Sequence, residues 1–256
     1  MATQHVVLLG ASNLVLGWQD LIHALRLTIA EPVDLKVAMG MGRSYLTTSS
    51  FCFRQLPAIS GCGLWDTLPR DLERPPYVLI TDLGNDIVYL FEPDQIAAGV
   101  RECLDRIRNW RPDARIVMTG LPITSLASVR RLRFLIARSI LFPGCKLSLP
   151  TILERARALE HLARQLAAEF GVPLVEPEPH WFGLDPIHVV PKFRAAAFSK
   201  YFAAFGQTPG TQTRNDNPPS GLKIRLPTPA EATKFGSRKT VEQPVFRAPE
   251  LTISAW

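Results

Sequence analysis

The chain has 256 residues, 46% hydrophobic and 20% charged, enough to bury one sizeable core. No run of about 18 apolar residues occurs, which excludes a membrane-spanning helix; the first hydrophobic run, Val6 to Leu9, is too short for a signal peptide, so a cytoplasmic location is expected. The net charge of +6 is concentrated in two stretches, Arg130, Arg131, Arg133, Arg138 and Lys146 within 123–150, and seven Lys or Arg against four acids within 206–256, a pattern that does not make a nucleic-acid face.

Taken in chain order, short apolar runs rich in Val, Ile and Leu alternate with helical periodicity. Strands are predicted at 5–10, 35–39, 77–83, 114–119 and 173–176, and helices at 13–29, 94–110, 152–170 and 190–204. In 152–170 the apolar face is Ile152, Ala156, Leu159, Leu162, Ala163, Leu166 and Phe170, with Glu154, Arg157, Glu160 and Arg164 opposite. Gly171 follows as a C-cap, and Pro173 stops any continuation. Strands that read as continuous apolar runs suit a parallel sheet covered on both faces. The expectation is one α/β domain over 1–205, a three-layer α/β/α sandwich around a flavodoxin-like sheet of five parallel strands.

From residue 206 the composition changes. Seven of the chain's 22 prolines fall in 206–256, which argues against helix and central strand alike. This tail reads as disordered, or as an arm laid on the surface through Val245, Phe246, Leu251, Ile253 and Trp256. Within 123–150, Val129, Leu132, Ile136 and Ile140 form an apolar stripe flanked by arginines. A crossover helix is the expected reading, ahead of an interfacial cover over a site. Cys52, Cys62, Cys103 and Cys145 show no paired spacing and no histidine cluster, so free thiols are expected, with no metal and no cofactor.

Four short blocks carry chemistry. Val6-Val7-Leu8-Leu9-Gly10-Ala11-Ser12 is a buried strand that breaks at glycine and delivers Ser12 to a helix start. The backbone N–H groups there are unpaired and favour negative charge, so the N–H of Ser12 can receive an oxyanion. Gly40 and Gly42 follow the second strand, where a glycine N–H can do the same. Gly84-Asn85-Asp86 follows the third, and Asn85 offers a side-chain N–H₂ while Asp86 is expected to steady the loop or cap the next element. Asp185-Pro186-Ile187-His188 sets a carboxylate three residues before a histidine, within reach of Nδ1–H. Nucleophile Ser12, base His188 and orienting acid Asp185 are the minimum for acyl transfer. His180 is a weaker rival base; His5, His23 and His161 read as structural.

The four blocks in this order resemble the SGNH (GDSL-type) hydrolases, and the resemblance runs from about Val6 to Phe205. It implies a three-layer α/β/α fold with Ser12 as nucleophile, Ser12, Gly42 and Asn85 as the oxyanion hole, and Asp185 and His188 as acid and base. It prefers Gly42 to Gly40. Two positions depart from the family's pattern: Ala11 replaces the aspartate before the serine, and Leu83 replaces the first glycine of the third block. The expected function is metal-independent hydrolysis of a small-molecule ester. Rival readings are an SGNH-like domain without catalysis, acting as a binding module, and a flavodoxin-like nucleotide binder using Gly10 to Gly17. The latter lacks a Lys-Ser/Thr pair and a full GxGxxG.

Overall fold

A computed structural model describes residues 2–128, 144–206 and 224–256. β1 (Gln4–Leu9) shows why the sheet is central, since its side chains point alternately into two separate cores. Val7 and Leu9 pack in one, Val6 and Leu8 in the other. The chain continues through α1 (Ser12–Leu16), α2 (Trp18–Thr28), β2 (Val33–Ala38) and a small hairpin, β3 (Ser49–Phe51) and β4 (Arg54–Leu56). Then come β5 (Tyr77–Ile80), α3 (Pro93–Trp110), β6 (Arg115–Thr119), α4 (Ile123–Ala127), α5 (Leu149–Phe170), β7 (Leu174–Val175) and α6 (Pro191–Ala203). Four strands follow in the last described segment: β8 (Glu231–Lys234), β9 (Ser237–Thr240), β10 (Phe246–Ala248) and β11 (Leu251–Ala255).

The five predicted strands are all present and parallel, in the order β2-β1-β5-β6-β7. Side chains of α2 and α6 fill the core on one face, and those of α3 and α5 fill it on the other. Gly171 caps α5 in the left-handed conformation (φ 63°), as its position implied. No helix among the described residues is long and apolar enough to cross a membrane.

Two expectations need correction. The central sheet has seven strands rather than five, because β11 pairs parallel to β2 and β10 pairs antiparallel to β11. The segment read as disordered or as a surface arm is therefore built into the fold over 224–256. Leu251, Ile253 and Ala255 are buried in one core, and Trp256 in the other. The prolines did not prevent this, since Pro244 and Pro249 stand just outside β10 and β11 and never within a ladder. The same segment supplies β8 and β9, which join β3 and β4 in a second, antiparallel sheet in the order β3-β4-β8-β9. Residues 129–143 and 207–223, which carry the whole apolar stripe of Val129, Leu132, Ile136 and Ile140 and the start of the tail, lie outside the described residues.

Candidate active site

β1 ends at Leu9, and the chain turns through Gly10 into α1, whose first residue is Ser12. A side chain at residue 10 would come within 2.5 Å of Thr81 Cγ2 and 2.9 Å of Leu14 Cδ1, so only glycine lets the strand leave the sheet here. Ser12 is buried save for 5% of its surface, and its Oγ lies 2.7 Å from His188 Nε2. His188 Nδ1 lies 2.5 Å from Asp185 Oδ2. The other carboxylate oxygen accepts the backbone N–H of Ile187 (3.1 Å) and of His188 (3.3 Å). With Nδ1 donating to Asp185, Nε2 is left to accept the Ser12 proton. Burial pushes the Asp185 pKa up, but the His188 hydrogen bond and charge, with those two N–H groups, outweigh it. The carboxylate is thereby held below its ordinary range.

Asn13 and Asp82 were not singled out in the sequence, yet they join the blocks. Asn13 Oδ1 accepts the N–H of Val189 (3.0 Å), and its Nδ2 donates to the carbonyl of Ile187 (3.0 Å). It therefore grips the backbone on both sides of His188. Asp82, in the left-handed region at φ 60°, accepts from Asn13 Nδ2 (2.7 Å) and from the N–H groups of Ala11 (2.8 Å) and Asn13 (3.2 Å). A carboxylate from the end of β5 thus holds the backbone on both sides of Ser12, where position 11 itself carries alanine. The N–H of Ser12 is among the first-turn donors that the helix leaves unpaired. The available signal was a short polar residue beside the serine and a carboxylate at a strand's carboxyl end, but neither announces its partner.

The remaining two blocks meet through buried polar groups. Asn85 Nδ2 donates to the carbonyl of Arg43 (3.3 Å), so one of its two amide hydrogens is engaged and one is left. Gly42 is left-handed (φ 63°), and its carbonyl accepts from the Tyr89 hydroxyl (2.7 Å). Asp86 steadies the loop as its position suggested, accepting from the Ser44 hydroxyl and from the N–H of Tyr45 (2.9 Å). Burial raises the Asp86 pKa against those hydrogen bonds. Arg43 is fully buried and donates to the carbonyls of Pro57 (3.2 Å), Met39 (3.3 Å) and Trp256. It thus ties the loop after β2 to the end of β11.

Ser12, Asn85, Asp185 and His188 line one cavity of about 510 Å³. Its wall is largely apolar, with Leu83, Ile87, Leu121, Ile152, Phe182 and Leu184 among the side chains that form it. Leu83, where the family has glycine, is a buried wall residue here. Neither Gly40 nor Gly42 is part of that lining, and neither is His180, which stacks edge-on against Phe193. Among the described residues Arg194 is the cavity's one basic residue besides His188, and it is engaged by the carbonyls of Val189 and Leu16. Such a wall suits an apolar group better than a phosphate.

No protein-family model matches the sequence, and no curated protein matches it significantly. Solved structures do match. A carbohydrate acetylesterase family member from Sinorhizobium meliloti is 14% identical, with 79% of this chain and 99% of that one covered at a TM-score of 0.51. The inhibitor-bound aryl esterase of M. smegmatis is 12% identical over 78% and 97%, with a TM-score of 0.53. A carbohydrate esterase family 2 enzyme with a carbohydrate-binding domain, from Corynascus thermopiles (Myceliophthora fergusii), is 14% identical over 79% and 67%, with a TM-score of 0.51. At these identities the likeness is one of fold, a mostly parallel central sheet covered by helices on both faces.

Proposed function

We propose that this protein is a serine ester hydrolase of the SGNH type. The observation that carries the reading is the hydrogen-bonded chain Ser12–His188–Asp185 opening on an apolar cavity. His188 Nε2 takes the proton of Ser12 Oγ as that oxygen attacks the ester carbonyl carbon. The carbonyl oxygen becomes an oxyanion received by the N–H of Ser12 and by the side-chain amide of Asn85, while Gly42, off the cavity wall, shapes the loop whose Arg43 carbonyl accepts from Asn85. His188 then gives its proton to the departing alkoxide, which leaves as an alcohol. Water, deprotonated by His188, attacks the acyl-enzyme, and the carboxylic acid departs with Ser12 restored. Asp185, held ionised, stabilises the imidazolium that forms twice in the cycle. The fold's relatives named above as esterases support this class of reaction, and the cavity's composition favours an apolar acyl group. A panel of esters of increasing acyl length, assayed on the wild type and on Ser12→Ala, tests the reading. Hydrolysis that rises with chain length and falls by at least three orders of magnitude in the variant is expected. Full activity in Ser12→Ala would sink it.

A further inference from the structure

The second sheet contains three locally unfavourable choices at one place. Its two hairpins, β3–β4 and β8–β9, turn through two residues each, Cys52-Phe53 and Phe235-Gly236. All four residues have positive φ (47°, 62°, 50° and 76°), the pattern of a type I′ turn, for which Asn-Gly is the preferred pair. Phe53 occupies the glycine place and Phe235 the asparagine place, so both aromatic residues sit in strained backbone. The turns lie side by side, with the N–H of Phe235 donating to the carbonyl of Phe53 (3.1 Å). The two rings stack with centroids 5.5 Å apart, and Phe53 and Phe235 are 75% and 72% exposed. Directly behind them Arg54 stands opposite Lys234 in the ladder, a like-charged pair that repels itself. Arg238 and Lys239 follow on β9, and Glu231, the one acid on the four strands, is paired with Arg238 (3.0 Å).

Strain, exposed aromatic surface and self-repulsion coincide where a sequence serving only the fold would avoid each of them. We propose that these paired tips dock the protein on an anionic phospholipid surface, with Phe53 and Phe235 entering the interface and Arg54, Lys234 and Lys239 meeting the headgroups. An interface of this kind takes aromatic rings at the level where basic side chains reach phosphate, and an anion there relieves the repulsion between Arg54 and Lys234. A protein partner suits the tips less well. Two rings so exposed offer roughly 200–350 Å², against about 800 Å² per partner in a stable protein interface. The inference is independent of the ester-hydrolase reading and stands or falls without it.

Co-sedimentation of the full chain with vesicles of phosphatidylcholine, with and without phosphatidylglycerol, tests the docking. Cys52 provides a second readout, since it is exposed while Cys62, Cys103 and Cys145 are buried, so a thiol-reactive environment-sensitive dye reports from the tip itself. Binding to the phosphatidylglycerol vesicles, weakened by salt and accompanied by a blue shift of the dye, is expected. The double variant Phe53→Gly, Phe235→Asn installs the residues the turns prefer, so it should melt no lower than the wild type while its vesicle partition coefficient falls at least tenfold. Arg54→Gln with Lys234→Gln should reduce the preference for anionic vesicles severalfold. Failure to sediment with any vesicle would overturn the proposal, as would equal partition of the aromatic double variant. Concentration-dependent self-association abolished in that variant, without vesicle binding, would assign the tips to a second copy and overturn it equally.

Discussion

Asp185 and Asp86 hold two sides of the candidate site under opposite electrostatic conditions. Asp185 has a half-exposed side chain, and its hydrogen bonds lower its pKa against the effect of burial. Asp86 is fully buried, and burial outweighs the bonds from Ser44 and Tyr45. The same contrast extends to their surroundings. The Ser12 and His188 side is laced by short polar contacts through Asn13 and Asp82, whereas the Gly42 and Asn85 side is anchored by desolvated groups, Arg43 foremost. The side that passes a proton in the proposed reaction keeps its charge near water, and the side proposed only to hold still can bear the cost of burying one.

The largest effect is expected from breaking the buried anchor. Arg43→Ala removes a large buried side chain and orphans three carbonyl acceptors, and it should lower stability by about 3–5 kcal/mol. Urea unfolding measures this, and a loss under about 1 kcal/mol would mean that the guanidinium holds little. Asn13→Ala should act on the opposite side, costing about 1–3 kcal/mol of stability and, by loosening His188, on the order of 10²-fold in turnover with KM little changed. Steady-state kinetics on a soluble ester decides it, since an equal loss in KM alone would place Asn13 in substrate binding instead.

The smallest effects are in pH and carry opposite signs. Asp185, with its folded pKa lowered, contributes stability that is present above the unfolded value, near 3.8, and is lost as pH falls below it. Asp86, with its folded pKa raised, makes the protein less stable as pH climbs from that same value upward, until the folded group is fully ionised. Unfolding free energies measured across the carboxylate range should therefore show a shallower acid-side slope in Asp185→Asn. In Asp86→Asn the decline above about pH 4 should be reduced. Identical pH profiles for the wild type and both variants would remove the contrast.

Much of this arrangement was legible in the residues. The five parallel strands announced themselves because each is a short apolar run with both faces buried, and Ser12, Asn85, Asp185 and His188 lie where strand ends and loop chemistry pointed. The strand β11 was hidden for a physical reason. Leu251-Thr252-Ile253 is a brief run among prolines, and its partner β2 is remote in sequence, so no local pattern distinguishes a central strand from a surface anchor. Arg43 gave no signal in the sequence, since a guanidinium that donates through Nε and Nη1 to three backbone carbonyls leaves no trace in the spacing of side chains. Asn13 was equally mute, because its partners flank His188 and become neighbours only on folding. Gly42 keeps its left-handed turn, but the cavity wall passes it by.

The pairing of β11 with β2 also sets a schedule for a chain growing on the ribosome. β2 is complete roughly two hundred residues before the strand that covers its edge, an interval on the order of 10–40 s at ordinary rates of synthesis. For that time the edge of β2 stands open to any other nascent strand, and the guanidinium of Arg43 waits without its Trp256 acceptor. Completion of the sheet and seating of the loop beside Gly42 thus fall together, and both wait on the synthesis of β11.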